Sequence, residues 1–355
     1  YGDWSSDVCS SDLLAPAPPG VCSRVRNHPP HPGQRPPRGG RGTRLHHPHP
    51  RPPVNRHHEG MTHPAFQVTH ADFHALFPAG AAPEQLGSGY AWTEGPTYVA
   101  ARRRVIFSDL RQNRTWAYTD DDQLLEELHP SDYQNGHTVD AQGRLIACSQ
   151  GRRALLRQEE DGTWTTLADR FEGGRLNSPN DVALHPDGSL GFTAPTYGLD
   201  KPEEGGRGEP MEVPGRWVYR LAPDGTLSAP IRERHKPNGL AFASADTLLL
   251  ADTGEHPGTY RYHVTPQGEA TLEGLHFTVT PGKTDGLRLD EQGRIWSSAA
   301  DGVHVLTPDG QELGRILFPQ TVSNLCFGGP DGTTLFVTAS SGFWRVPTTT
   351  RALHL

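Results

Sequence analysis

Residues 284–299, TDGLRLDEQGRIWSSA, place an acid, Asp285, just before a short apolar strand, which leads through the turn DEQGR into a second apolar strand. Residues 180–194, NDVALHPDGSLGFTA, repeat that order with Asn180 in the position of the acid. Four further stretches open the same way: Glu94 in EGPTYV, Asn135 in NGHTV, Asn238 in NGLAF and Asn324 in NLCF. The six positions follow one another at intervals of 39 to 58 residues. Self-similarity at a period in the forties is the mark of a radial β-repeat, in which the same position of every repeat faces one shared axis.

Working outward from these stretches, the segments RVIFSDL, TWAYTD, RLIACSQ, ALLRQEE, LGFTAP, WVYRLAP, TLLLADT, TYRYHV, RIWSSAA, GVHVLTP, TLFVTAS and GFWRVP read as short strands rich in β-branched and aromatic residues. Asp-Gly, Pro-Asp-Gly and Gln-Gly turns separate them, which is the hairpin signal. Grouped by the recurring acid or amide, they predict an all-β chain: a six-bladed β-propeller with four-stranded blades around a central channel. A β-sandwich of similar strand number would not place an acid or amide in register at every blade-length interval. Residues 84–89 are expected to complete the last blade and close the ring. The longest interval holds the insertion YGLDKPEEGGRGEPMEVPGRW, residues 197–217, whose Gly, Pro and Glu content predicts a surface loop near the channel mouth. The best helical signal is ADFHALF at 71–77, with Asp72 as its expected cap.

The first sixty residues differ in kind. They hold seven of the 19 His, twelve of the 33 Pro and eight of the 33 Lys+Arg, with almost no apolar periodicity, and are expected to be disordered. Met61 opens ordinary composition and is read as the start of a single domain over 61–355, with its core at about 80–347 and the preceding segment non-native. Without that segment Lys+Arg falls from 33 to 25 and Asp+Glu from 41 to 37, moving the formal net charge from -8 to -12. An acidic balance argues against a nucleic-acid partner. Cys148 and Cys326 sit in apolar strands of different repeats, which gives no disulfide framework. With no apolar run of membrane-spanning length after Met61, no membrane association is expected, and the expected location is the cytoplasm. Oligomeric state is left open.

At the axis, Glu94 and Asp285 would supply two negative charges, and Asn135, Asn180, Asn238 and Asn324 neutral amide oxygens. Oxygen ligands with two carboxylates suit a hard divalent cation such as Ca²⁺, Mg²⁺ or Mn²⁺ better than a structural zinc centre of Cys and His. Two carboxylates held together without a cation would force one of them to keep a proton. Asn-Gly is also a turn dipeptide, and Asn135 and Asn324 are read as turn residues. His137 is read as a hydrogen-bonded structural residue, and Arg152 and Arg153 as a solvated face. The chain has no G-x-S-x-G elbow, H-E-x-x-H or C-x-x-C.

The stretches EGPTY, NSPNDVALHPDGSLGFTAPTYGL, PNGLAF, TDGLRLDEQGRIW and VSNLCFGGPDGTTLFVTA, taken in order over about residues 65 to 347, resemble the gluconolactonase family, also called SMP-30 or regucalcin-like. The resemblance implies a six-bladed propeller with one divalent metal in the channel that hydrolyses sugar lactones. It implies Glu94, Asn180, Asn238 and Asp285 as the metal site, Ca²⁺ foremost with Mg²⁺, Mn²⁺ and Zn²⁺ as alternatives. It also implies Asp285 as the catalytic acid/base, and Asn180 as a substrate contact; Tyr197, which follows the PND motif, is a pocket candidate. A lactone carbonyl in an open metal position, attacked by a water held by Asp285, would be the corresponding chemistry. Two departures leave the lactone unspecified: Ser178 stands where animal members carry an Arg, and Ala194 where bacterial members often carry an acid. The alternatives are a phosphotriesterase or other esterase on the same metal site, and a non-enzymatic calcium-binding propeller.

Overall fold

A computed structural model describes residues 63–354. The expectations for residues 1–60 lie outside the described residues. Six four-stranded antiparallel sheets follow one another around a ring. The first blade comprises Thr93–Val99, Arg104–Asp109, Arg114–Thr119 and Leu124–Leu128, and the second Gln134–Val139, Leu145–Ser149, Ala154–Gln158 and Trp164–Ala168. The third is built from Val182–Leu184, Leu190–Ala194, Trp217–Leu221 and Leu227–Ile231, and the fourth from Pro237–Ser244, Thr247–Asp252, Gly258–Val264 and Ala270–Phe277. The fifth runs through Leu287–Leu289, Ile295–Ser298, Gly302–Leu306 and Glu312–Leu317. In the sixth, Val322–Gly328, Thr334–Ala339 and Gly342–Pro347 are joined by Glu84–Ser88, which pairs antiparallel with Gly342–Pro347. The ring is therefore closed by a strand from before the first blade, as expected from residues 84–89.

Three strands fall outside the sequence reading: Arg170–Phe171 and Gly174–Arg175 pair as a small hairpin of their own, and Phe66–Val68 adds a fifth strand to the fifth blade. It is followed by a 3-10 turn over Ala71–Leu76 whose cap is His70, not Asp72; the imidazole Nδ1 accepts from the Asp72 amide. Phe73 and Leu76 of that turn bury themselves with Phe66, Phe77 and Trp296, so the segment seals the seam between the fifth and sixth blades.

The core lies between blades. Side chains alternate along each strand, so each sheet has two apolar faces, and every face packs on a neighbour. Phe107 of the first blade stacks on Phe343 of the sixth at 4.1 Å, across the closure. The turns between inner and second strands repeat one device. Asp140 accepts the amides of Gln142 and Arg144, and Asp290 those of Gln292 and Arg294, while each second carboxylate oxygen takes the Arg Nε at i+4. Such Asp-led turns fix the register of the hairpin that carries each inner strand.

Arg153 departs from the solvated face expected of it. Its side chain is only 2% exposed and its guanidinium donates to the Leu176 and Asn177 carbonyls and to Glu209 and Glu212. It ties the insertion to the second blade, whereas Arg152 stays partly exposed.

Candidate active site

Each inner strand starts at the same face of the ring, and its first residues form a circle around the axis that is hydrogen-bonded at three of its six junctions. The Gly136 amide donates to the Asn180 carbonyl, the Gly239 amide to that of Asp285, and the Gly286 amide to that of Ser323, each at 2.8 Å. The blades approach so closely here that a Cβ on Gly239 would lie 2.1 Å from the Asp285 carbonyl oxygen. At Gly95, Gly136 and Gly239 the backbone of the neighbouring blade thus leaves no room for a side chain. This corrects the reading of Asn135 and Asn324 as turn residues: both are buried in inner strands, at 4% and 2% exposure.

The same circle exposes a one-residue slip. In the sixth blade the residue in phase with Asn180 and Asp285 is Ser323, because it is Ser323 whose carbonyl accepts from the neighbouring glycine. Asn324 occupies the glycine phase, and its side chain fills the space beside Gly286. Asp181 is the other side chain at that phase. Together they make a second layer: the Asp181 carboxylate lies 3.5 Å from both the Arg288 guanidinium and the Asn324 amide, and accepts from the Val182 amide at 3.0 Å.

The first layer holds Asn135 and Ser323 together with the four candidate ligands, Glu94, Asn180, Asn238 and Asp285. Glu94, Asn180 and Asn238 are buried, while Asp285 keeps part of its surface open to the channel. The Glu94 carboxylate accepts from Trp92 Nε1 at 3.1 Å and from the Gly95 amide at 3.2 Å. Burial, and then the nearby Asp285 charge, nonetheless push its pKa well above the ordinary carboxylate range. Asp285 is pushed up to about 8, first by burial and then by Asp181 and Glu204, against the opposing pull of Lys201 and a hydrogen bond from Asn238. The Asn238 amide is spent on Asp285, and its Oδ1 is buried without a hydrogen-bond partner. Two crowded carboxylates beside an orphaned amide oxygen fit a hard divalent cation, which would satisfy all three oxygens at once. Among the described residues no cluster of three His, Cys, Asp or Glu forms a ligand set by itself, so a cation here would draw on amides.

The surroundings brace this layer. Asp109 accepts the amides of Ala91 and Trp92, just before Glu94, and Asp252 accepts those of His235 and Lys236, just before Asn238. These two braces went unread in the sequence, although both stand at the end of a second strand, in IFSDL and LLADT, and so recur in phase. His137 bonds the Gly95 carbonyl at 2.8 Å through Nδ1, and burial lowers its pKa to about 4, leaving a neutral imidazole. Tyr197 opens a short helix, Tyr197–Asp200, and its hydroxyl bonds Thr253 at 2.6 Å. Its phenol is pushed far up by burial and by Asp285. The insertion is not a loose loop. Ser178 accepts from the Gly198 amide, and Glu204, 4% exposed, pairs with Arg111 at 3.0 Å and Lys201 at 3.5 Å. Arg111 in turn lies over the Trp92 ring that holds Glu94.

A closed six-bladed propeller with an acid and amide cluster at one mouth of its channel defines the class of protein. The chain belongs to the family described as the SMP-30/Gluconolactonase/LRE-like region, whose model matches residues 92–341. It is 31% identical over 293 residues to a gluconolactonase of Zymomonas mobilis, covering 75% of this chain and 81% of that one. A solved structure of a candidate gluconolactonase shares 62% identity with a TM-score of 0.80, covering 82% of this chain and all of that one. The structure of a Xanthomonas campestris gluconolactonase shares 36% identity with a TM-score of 0.76, covering 80% and 94%.

Proposed function

We propose that the chain hydrolyses a sugar lactone at the first layer, with Glu94, Asn180, Asn238 and Asp285 holding one divalent cation, Ca²⁺ foremost. The observation that carries the reading is the pairing of two carboxylates raised by burial with an unpartnered Asn238 Oδ1. Relatives named as gluconolactonases over most of their length support the substrate class. When bound, a divalent cation supplies Lewis-acid withdrawal of charge from a carbonyl oxygen.

The chain's own residues supply the rest. Asp285, partly open to the channel, takes a proton from the attacking water as the carbon–oxygen bond to that water forms. The ring ester bond then breaks as Asp285 returns that proton to the ring oxygen, which leaves as the hydroxyl of the open-chain acid. The Asn238 amide orients the Asp285 carboxylate for this transfer, and Trp92 Nε1 fixes Glu94. Tyr197, protonated and anchored on Thr253, forms a wall of the pocket beside Asp285; with Thr253 donating to the Lys236 carbonyl, the phenol donates to Thr253 and its oxygen can still accept from a sugar hydroxyl. The absence of a serine elbow agrees with water as the nucleophile.

The test is acid release from δ-gluconolactone, followed by pH-stat above the spontaneous rate, with and without EDTA. The reading expects hydrolysis that chelation abolishes and added Ca²⁺ restores. Hydrolysis indifferent to chelation would refute the cation, and no hydrolysis of any lactone in a panel of ring sizes would refute the activity.

A further inference from the structure

Of the 33 basic residues in the chain only three are lysine, Lys201, Lys236 and Lys283, and all three meet at the channel mouth. Lys236 Nζ lies 4.0 Å from the centre of the Tyr197 ring and Lys201 Nζ lies 5.4 Å from it. Lys283 Nζ donates to the carbonyl of Thr253, the residue that anchors the Tyr197 hydroxyl. Lys236 stands two residues before Asn238 and Lys283 two before Asp285, so each is within roughly 7 Å of extended chain from the proposed site. Lys201 comes from the insertion. Two segments thus bring ammonium groups to one aromatic ring, and a third places its own on the residue that anchors the hydroxyl of that ring.

The acids near that ring are Asp285, Glu204 and Asp252. Asp252 already accepts three backbone amides, from His235, Lys236 and Gly254, and Glu204 is shared between Lys201 and Arg111. With a divalent cation offsetting Glu94 and Asp285, the rim keeps an excess of positive charge in a protein whose formal net charge is -8. On the same rim, beside Lys236, opens a cleft of about 440 Å³ lined by Arg216, Arg234, His235 and His256, with Glu233, Asp252 and Glu255 among its walls. The Arg234 guanidinium lies flat over Tyr260 at 4.0 Å and Arg216 gives its Nε to Thr196. Glu233 accepts the Tyr262 hydroxyl.

We propose that the lysine-flanked mouth and the adjoining cleft form a subsite for a phosphate monoester carried on the exocyclic carbon of the lactone, away from its carbonyl. The inference rests on the proposed lactone hydrolysis and narrows its substrate class. A phosphate monoester brings a charge of about -1.5 to -2 at neutral pH, which matches a rim of several cations better than a neutral sugar hydroxyl does. Lysine suits the role because its ammonium is a point charge on a flexible stem that can follow a phosphate through turnover.

The scarcity of lysine supplies the test. Reductive methylation of the full-length, Ca²⁺-loaded protein with ¹³C-formaldehyde labels three side chains and the amino terminus, and keeps their charge. Glucose 6-phosphate, glucose and gluconate are titrated at matched ionic strength. The expected result is saturable displacement of lysine signals by glucose 6-phosphate and none by glucose. In the kinetic arm, the phosphorylated lactone should exceed its neutral counterpart in kcat/KM by about tenfold or more, through KM, and Lys236→Met should remove that preference while hydrolysis of the neutral lactone continues. Equal response to glucose and glucose 6-phosphate, or a response to gluconate alone, whose carboxylate lies at the reacting end, would overturn the proposal. If no lactone is hydrolysed, the titration still decides whether the subsite exists, so its failure and that of the lactonase reading are separable.

Discussion

Asp285 in the first layer of the channel, partly open, and Asp181 one residue-step deeper, fully buried, are both carboxylates near the axis, and they differ in what faces them. Asp181 has a cation built into the chain, Arg288, together with the Asn324 amide and the Val182 N–H. Asp285 faces Asp181 and Glu204, raises the pKa of a further acid, Glu94, and has beside it an asparagine that spends its donor on it and leaves its own oxygen orphaned. A buried charge must be paired or give up its ionisation. The deeper layer meets that demand from sequence. In the proposed reading, the outer layer would meet it with a cation from solution, which would bring open coordination positions for chemistry.

The sharpest way to break the contrast is to remove the carboxylate from the outer layer. Asp285→Asn should lower lactone hydrolysis by about 100-fold or more, the usual reach of a positioned general base, as read by pH-stat at saturating Ca²⁺. Next comes the support of Glu94. Trp92→Phe removes the indole donor while keeping an aromatic ring at this half-buried position, and should weaken Ca²⁺ binding by about tenfold in a calorimetric titration, with Tm falling little. The deeper layer predicts the reverse pattern. Arg288→Met leaves Asp181 without its cation and should cost about 2 kcal/mol in urea unfolding, the Arg being partly exposed, while Ca²⁺ affinity changes little.

The smallest effect is in pH. Asp285 carries a folded pKa of about 8 against an ordinary carboxylate value near 3.9 unfolded, so below pH 8 the folded chain binds the extra proton. Its ionisation therefore destabilises the fold progressively as pH rises from about 4 to 8. His137 acts in the opposite sense: with a folded value of about 4 it withdraws stability as pH falls below about 6.5. Between pH 6.5 and 8 the chelated protein should lose Tm as pH rises, and Asp285→Asn or added Ca²⁺ should flatten that slope. Thermal melts across this range measure it directly.

The strands, the turns and the closing strand were legible because apolar runs and Asp-Gly punctuation are local signals with one physical meaning each. The slip at Asn324 was not. An amide catches the eye where Ser323 does not, yet register is set by the apolar residue after the ligand position, Leu287 in one blade and Leu325 in another. Arg153 was hidden for a related reason: its partners, Glu209 and Glu212, lie far along the chain in an insertion with no periodicity. The same insertion delivers Lys201 and Glu204 to the mouth, and its composition signals only a loop. The four ligand candidates were legible as one phase of a repeat, whereas the crowding that raises Glu94 and Asp285, and the orphaned oxygen of Asn238, are facts of three-dimensional packing.

The most direct test of the account is calorimetric titration of Ca²⁺ into the chelated full-length protein, with the Glu94→Gln, Asp285→Asn double variant alongside. The account predicts one site in the parent protein, protons released on binding, and no binding in the double variant. Absence of binding by the parent, or equal binding by the two proteins, would contradict it.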